Sequence, residues 1–209
     1  MLNKMLDDYS VMGFATFSKR DGVENTDVID ASLNWSHQFL APLEGVGFHC
    51  LLQNTKGGFA DIVFAKNGEA LSQLNENFDK SEASQKMMEL LDPQSIQMTA
   101  MAISQDRFIP PTDFACIEIG FMKSQTASKE EILQQSKLLE DNYLHKFENT
   151  KSHFIGEIEQ GSYTDVTFGR SLGETRKICL GFDQDKTATE FLSLFDPTSF
   201  QLDFWALIA

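Results

Sequence analysis

His49 and Asp61 stand 12 residues apart, and the same two residue types recur at the same spacing as His153 and Asp165. An imidazole that exchanges protons near neutrality, beside a carboxylate that fixes its tautomer, is an acid/base pair. The same side chains would equally serve to hold two units in register, because buried polar groups must be paired whatever else they do. Four such groups meeting at a pseudo-twofold axis would suit a divalent metal. No local His-x-x-x-His spacing supports that, and haem ligation by His49 or His153 carries no more weight, so neither metal nor cofactor is expected. Glu118 is a fifth candidate for the chemistry, as a carboxylate partner present in only one of the two copies described next.

The pair is doubled because most of the chain is doubled. Residues 49–103 lie over 153–207 at a constant offset of 104 without a gap, and 12 positions are identical. Among them are Phe64 and Phe168, Phe78-Asp79 and Phe182-Asp183, and Asp92-Pro93-x-Ser95-x-Gln97 and Asp196-Pro197-x-Ser199-x-Gln201. Upstream, Trp35-x-His37-x-Phe39 matches Tyr143-x-His145-x-Phe147 at an offset of 108, and Phe14-Ala15 matches Phe114-Ala115 at 100. Insertions therefore fall between elements. A period of about one hundred residues is too long for a solenoid and suits a duplicated small domain, 1–108 and 109–209.

The elements that must position these residues follow from the hydrophobic periodicity. Each copy opens with a short β run, 11–19 or 114–123, followed by a helix over 25–39 or 128–147. The apolar stripes Val28, Ala31, Trp35, Phe39 and Ser136, Leu139, Tyr143, Phe147 keep to one helix face. Ser128 with Glu131 reads as a capping box. Alternating runs 48–54 and 59–65, and 154–159 and 163–169, flank glycine-bearing turns and predict β-hairpins. Helical segments follow over 69–78 and 84–91, and over 174–182 and 187–195, each pair ended by Asp-Pro. The last strands are 96–103 and 200–208. The order β-α-β-β-α-β, twice, predicts an α+β fold of two tandem ferredoxin-like repeats whose antiparallel sheets carry both helices on one face.

Strand alternation then sorts the faces. Cys50, Leu52, Ala60, Ile62 and Phe64, with Phe154, Gly156, Ile158, Val166 and Phe168, form an apolar face assigned to the helices. The opposite face, assigned to a pocket, carries His49, Leu51, Gln53, Phe59, Asp61 and Val63, with His153, Ile155, Glu157, Tyr163, Asp165 and Thr167. A turn centred on Lys56 sets Leu51 opposite Asp61 and His49 opposite Val63. The same rule adds Phe14 and Glu118 from the first strands and Gln97, Gln201, Asp203 and Trp205 from the last. The catalytic candidates are His49, Asp61, His153, Asp165 and Glu118; the ligand-binding candidates are Phe14, Phe59, Gln97, Glu157, Tyr163, Gln201, Asp203 and Trp205. Aromatic walls with a few convergent polar groups are what a small-molecule pocket needs. Glu118, Glu157, Asp203 and Trp205 match Ser18, Gln53, Thr99 and Met101 in this alignment, which gives the second copy more pocket chemistry. His37 and His145 fall about 200° round their helices from Trp35 and Tyr143, towards solvent. The Asp-Pro-x-Ser-x-Gln segments read as helix stops leading into a strand.

Composition excludes several function classes. Net charge is -14, and the basic residues form no patch, so nucleic acid and anionic membranes are not expected partners. Arg20, Arg107, Arg170 and Arg176 all fall off the pocket face. No export signal and no membrane-spanning apolar run is visible. Cys50, Cys116 and Cys179 face Phe154, Thr16 and Asn75 in the other copy, so they make neither symmetric disulfides nor a metal spacing. They read as reduced packing residues of a cytoplasmic protein.

The stretch Gly45-Val46-Gly47-Phe48-His49-Cys50-Leu51-Leu52, a glycine turn, then Phe59-Ala60-Asp61-Ile62-Val63-Phe64 and Glu69-Ala70-Leu71 resembles the antibiotic-biosynthesis-monooxygenase type of domain in the dimeric α+β barrel superfamily. In that superfamily two ferredoxin-like sheets close against each other, within a chain or across a homodimer. The resemblance implies an α+β barrel that binds a small aromatic or hydrophobic molecule. It allows cofactor-independent oxygenase, isomerase or cyclase chemistry with His49 or His153 as base. It equally allows a catalytically silent binding or assembly module, since fold analogy does not select a reaction.

Overall fold

The computed structural model describes residues 1–4, 8–105, 107–124 and 126–209. The chain forms two compact units, one of Met1–Ala102 with Arg107–Ile109 and Leu207–Ala209, the other of Ile103–Asp106 with Pro110–Ala206. Both are mixed α+β with antiparallel strands. The first contains β1 (Leu2–Asn3), β2 (Val11–Phe17), α1 (Asn25–Trp35), β3 (Val46–Asn54), β4 (Phe59–Ala65), α2 (Gly68–Phe78), α3 (Glu82–Leu90) and β5 (Gln97–Ile103). Its strands lie in the order β1-β3-β4-β2-β5. The second contains β6 (Cys116–Lys123), α4 (Lys129–Asn142), β7 (Thr150–Glu159), β8 (Ser162–Gly169), α5 (Leu172–Leu180), α6 (Lys186–Leu192) and β9 (Gln201–Leu207), with strand order β7-β8-β6-β9. Among the described residues, β1 is the one strand that the sequence patterns do not predict; it pairs Leu2 with His49.

The hairpins form as the alternation requires. Gly57 and Gly161 take φ of 86° and 82°, a left-handed conformation that glycine adopts without a Cβ penalty. Leu51 pairs with Asp61 and His49 with Val63, the predicted register. Ser128 caps α4 by accepting from the Glu131 N–H. The Asp-Pro segments are clips as well as helix stops. Asp92 caps a short 3-10 turn by accepting from the Gln94 N–H, and Ser95 Oγ accepts from the Ser18 N–H at 2.8 Å. In the second unit Asp196 accepts from Thr198, and Ser199 Oγ accepts from the Lys123 N–H at 2.9 Å. Each clip ties the end of β2 or β6 to the approach to its unit's last strand.

Two expectations are corrected. The hairpin faces are exchanged: Leu51, Phe59 and Val63 pack in one cluster with Trp35 and Phe39, while Ile155 and Tyr163 pack with Leu139 and Tyr143. The set that carries His49 and Asp61 therefore faces the helices, and Cys50, Leu52, Ile62 and Phe64 point away from them. Both faces of β3 and β4 are buried, so both read as apolar, and alternation separates the sets without saying which is which. For β5 the assignment from alternation agrees with the structure. Met98 lies opposite Ala15 and Ala100 opposite Gly13, so Gln97, Thr99 and Met101 point away from the helices. The candidate pocket face thus mixes residues from two sides of the sheet.

The second correction concerns the first strands. Gly13 pairs with Val63 and Glu118 with Thr167, and 63 + 104 = 167. The structural offset is therefore 118 − 13 = 105, which sets Glu118 over Gly13 and Gly120 over Ala15. The offset of 100 drawn from Phe14-Ala15 and Phe114-Ala115 rests on a two-residue identity just ahead of β6. The clips agree with 105, since Lys123 takes the place of Ser18.

Candidate functional site

In the first unit α1 presents Trp35 to the sheet and runs on into a π-helical turn, Ser36–Leu40. Such turns shift the residues that follow onto a new face and recur at functional sites. Ser36 opens the turn on the buried side of α1, and its Oγ is in hydrogen-bonding contact with His49 Nδ1. His49 Nε2 meets Asp61 Oδ1 at 2.7 Å. With a neutral imidazole the relay is complete: the Ser36 hydroxyl donates to Nδ1 and Nε2–H donates to the carboxylate. The Trp35 ring stands edge-on to the imidazole at 5.1 Å and donates from its indole N–H to Ser84 Oγ at 2.9 Å. Ser36, His49 and Asp61 are all buried.

Asp61 is also part of the wall of a cavity of about 590 Å³ between this sheet and its helices. Trp35, Phe17, Phe78, Leu71 and Met87 supply apolar surface, and Met88 and Met98 add polarisable thioethers. Its polar side chains are Asp61, Asn75 and Asp79. Asp61 is buried while Asn75 and Asp79 are exposed, so one carboxylate lies deep and the other at the mouth.

The second unit repeats the pair without the setting. His153 Nε2 hydrogen-bonds Asp165 Oδ1, and both are buried. The residue over Ser36 is Leu144, and His153 Nδ1 has no hydrogen-bond partner among the described residues. Where the first unit has Gly13, Met87 and Leu91, the second has Glu118, Phe191 and Phe195, all buried. Larger side chains thus fill positions that line the cavity in the first unit. Burial, reinforced by the charge of Asp165, pushes the Glu118 carboxyl up to about 8. Cys179 Sγ contacts Glu118 at 3.6 Å, and burial together with Glu118 pushes its thiol up. Burial works against a charged His153, but the adjacent Asp165 carboxylate more than offsets it and raises the imidazole.

The remaining candidates scatter. Phe14 borders the cavity but lies opposite Ile62 and Thr99, on the sheet face away from the helices, and Phe59 stacks on Phe17 at 5.9 Å as core. Gln97, Gln201 and Asp203 are exposed. Glu157 pairs with Lys129 at 2.6 Å, and Tyr163 packs edge-on to Phe195. Trp205 is buried on β9 opposite Ile117, on the face away from Phe204, whose ring lies under Arg176 of α5. His37 is exposed, as is His145, which lies beside Glu140 and Asp141. Ser36, Gly13 and the methionines escape sequence reasoning. Ser36 sits inside the Trp35-x-His37 motif but has no twin, and Gly13 becomes visible only once the offset of 105 is known. Among the described residues no group of three or more His, Cys, Asp or Glu is arranged to hold a metal, and the cysteines are free. Among them, too, no helix is long and apolar enough to cross a membrane.

No family model matches the sequence, and no curated protein matches it. Solved structures do resemble it. One is a candidate monooxygenase from Fusobacterium nucleatum, with TM-score 0.65 and 10% identity over 97% of this chain and 94% of that one. Another is a heme-binding protein from Thermus thermophilus, with TM-score 0.62 and 10% identity over 100% and 95%. A third is the chlorite dismutase of Candidatus Nitrospira defluvii in complex with imidazole, with TM-score 0.64 and 9% identity over 96% and 92%. Such neighbours are dimeric α+β barrel proteins, and at these identities the likeness is one of fold.

Proposed function

We propose that this protein binds a small hydrophobic, aromatic molecule in the cavity of its first unit, with Asp61 as the polar anchor held in place by His49 and Ser36. The observation that carries this is a buried carboxylate, itself part of a three-residue hydrogen-bonded chain, in the wall of a largely apolar cavity of about 590 Å³. That volume suits a small organic ligand. If the bound molecule reacts, Asp61 is the group at the cavity that takes or gives the proton. His49 acts behind it, orienting the carboxylate and stabilising its charge, in place of the direct base that sequence parity suggests. Ser36 fixes the imidazole tautomer.

The second pair is better read as structural. Glu118, Phe191 and Phe195 are buried at the positions that match Gly13, Met87 and Leu91 of the first unit's cavity wall, and a leucine replaces the serine of the relay. We take the chain to be a tandem duplicate of a ferredoxin-like unit in which one copy keeps a site and the other has filled it. Haem, which one similar protein binds, does not fit the residues present. Both nitrogens of His49 are engaged, and among the described residues no histidine lines the cavity and no Lys or Arg lines it to meet propionates. Ligand binding is tested by quenching of Trp35 fluorescence, with Trp35→Phe as the blank. Asp61→Asn should weaken binding by about tenfold or more, the size of one charge-assisted hydrogen bond. Unchanged affinity in that variant refutes Asp61 as the anchor.

A further inference from the structure

We infer that the ligand is a hydrophobic amine, bound as its ammonium ion against Asp61. This rests on the cavity reading above and narrows its chemistry. The polar side chains of the wall are two carboxylates and an amide, and among the described residues the lining includes no Lys, Arg or His. With His49 Nε2–H on Oδ1, the second carboxylate oxygen of Asp61 remains an acceptor at the cavity. It needs a donor, and a charged donor returns more of the desolvation cost than a neutral one. The rest of the wall favours the same ion. Trp35, Phe17 and Phe78 supply ring faces and edges suited to a cation and to the flat body attached to it. Met87, Met88 and Met98 adapt to the shape of that body.

Asp79 at the mouth and Asp61 at depth carry the same sign, and the chain as a whole carries -14. Cations are thereby concentrated at the entrance, and anions are repelled there. A bound carboxylate or phosphate would lie beside Asp61 with no basic side chain among the described lining residues to neutralise it. That like-charge burial is what excludes fatty acids, aromatic acids and phosphorylated ligands.

The test is a matched series on the intact protein, read by isothermal titration: naphthylmethylamine, naphthalenemethanol, methylnaphthalene and naphthoate. These share one ring system and differ in the group offered to Asp61. The amine should bind about tenfold or more tighter than the alcohol and the hydrocarbon, with naphthoate weakest. In Asp61→Asn the advantage of the amine over the alcohol should fall to within about threefold, since the charge that discriminates them is gone. Binding of any of the other three to the wild-type protein as tightly as the amine overturns the amine assignment while leaving the cavity reading intact. Failure of all four to bind overturns both. The wild-type series decides the question even if Asp61→Asn does not fold.

Discussion

Glu118→Gln separates the second unit's buried acid from its burial and yields a stability change of known sign. Glu118 ionises at about 8 in the folded protein against 4.5 as a free side chain, because burial and the Asp165 charge oppose the anion. A carboxyl whose folded value is raised holds its proton better in the folded state. Its contribution is complete below 4.5 and is lost as pH rises through about 8. The gap, 8 − 4.5 = 3.5, sets a ceiling of about 5 kcal/mol at 1.36 kcal/mol per unit. His153 is also raised, so its contribution is complete below 6.5 and declines as pH rises, in the same direction. Urea unfolding should therefore show the wild-type second unit weakening steadily between about pH 5 and pH 8. Trp205 fluorescence reports that unit in a Trp35→Phe background. In Glu118→Gln the amide keeps the shape and cannot ionise, so most of the slope should vanish. A wild-type slope retained in that variant refutes the buried-acid account.

Gly13→Leu should fill the first unit's cavity, since a Cβ there points at Leu71 Cδ1, 3.3 Å away. Titration with naphthylmethylamine should show binding lost, with stability changed by no more than about 3 kcal/mol. Ser36→Ala removes the hydroxyl from His49 Nδ1 and leaves a buried nitrogen unsatisfied, as at His153; thermal unfolding should report a loss of about 1–3 kcal/mol. Gly45→Ala meets two obstacles, a φ of 77° and an approach of 2.8 Å to the Ala70 Cβ, and should cost at least about 2 kcal/mol by urea unfolding. Ser95→Ala leaves the Ser18 N–H without its acceptor and should cost about 1 kcal/mol, measurable in the same assay.

Element order, hairpin register and the twin His–Asp pairs are legible in the sequence, because each rests on local periodicity. Leu51 opposite Asp61 follows from where the glycine turn sits, and the turn chemistry is written in Thr55-Lys56-Gly57-Gly58. The side to which Asp61 points is not legible. Val63 and Ile62 are equally apolar neighbours on opposite faces, and the choice between them is made by helices that pack from elsewhere in the chain. Ser36 is hidden for a related reason. It lies one helix turn after Ser32 on the buried side of α1, but the twin position holds Leu144 and its partner His49 comes from β3, so no local pattern marks it. The cavity is hidden because it is an absence, left by Gly13, Met87 and Leu91 being smaller than their counterparts.

The exchange of Gly13 for Glu118 has a genetic side. Two of the four glycine codons become glutamate codons by a single substitution at the second base, and either glutamate codon returns to glycine the same way. Glu118 therefore lies one mutation from glycine and Gly13, where it uses one of those two codons, one mutation from glutamate. Where one of those two codons is used and the cavity is dispensable, glutamate at position 13 is within immediate reach of drift. Lineages that depend on the ligand must keep removing it. A survey of natural variants of this chain would show a glycine held at 13 by selection, or its loss, before any ligand is known.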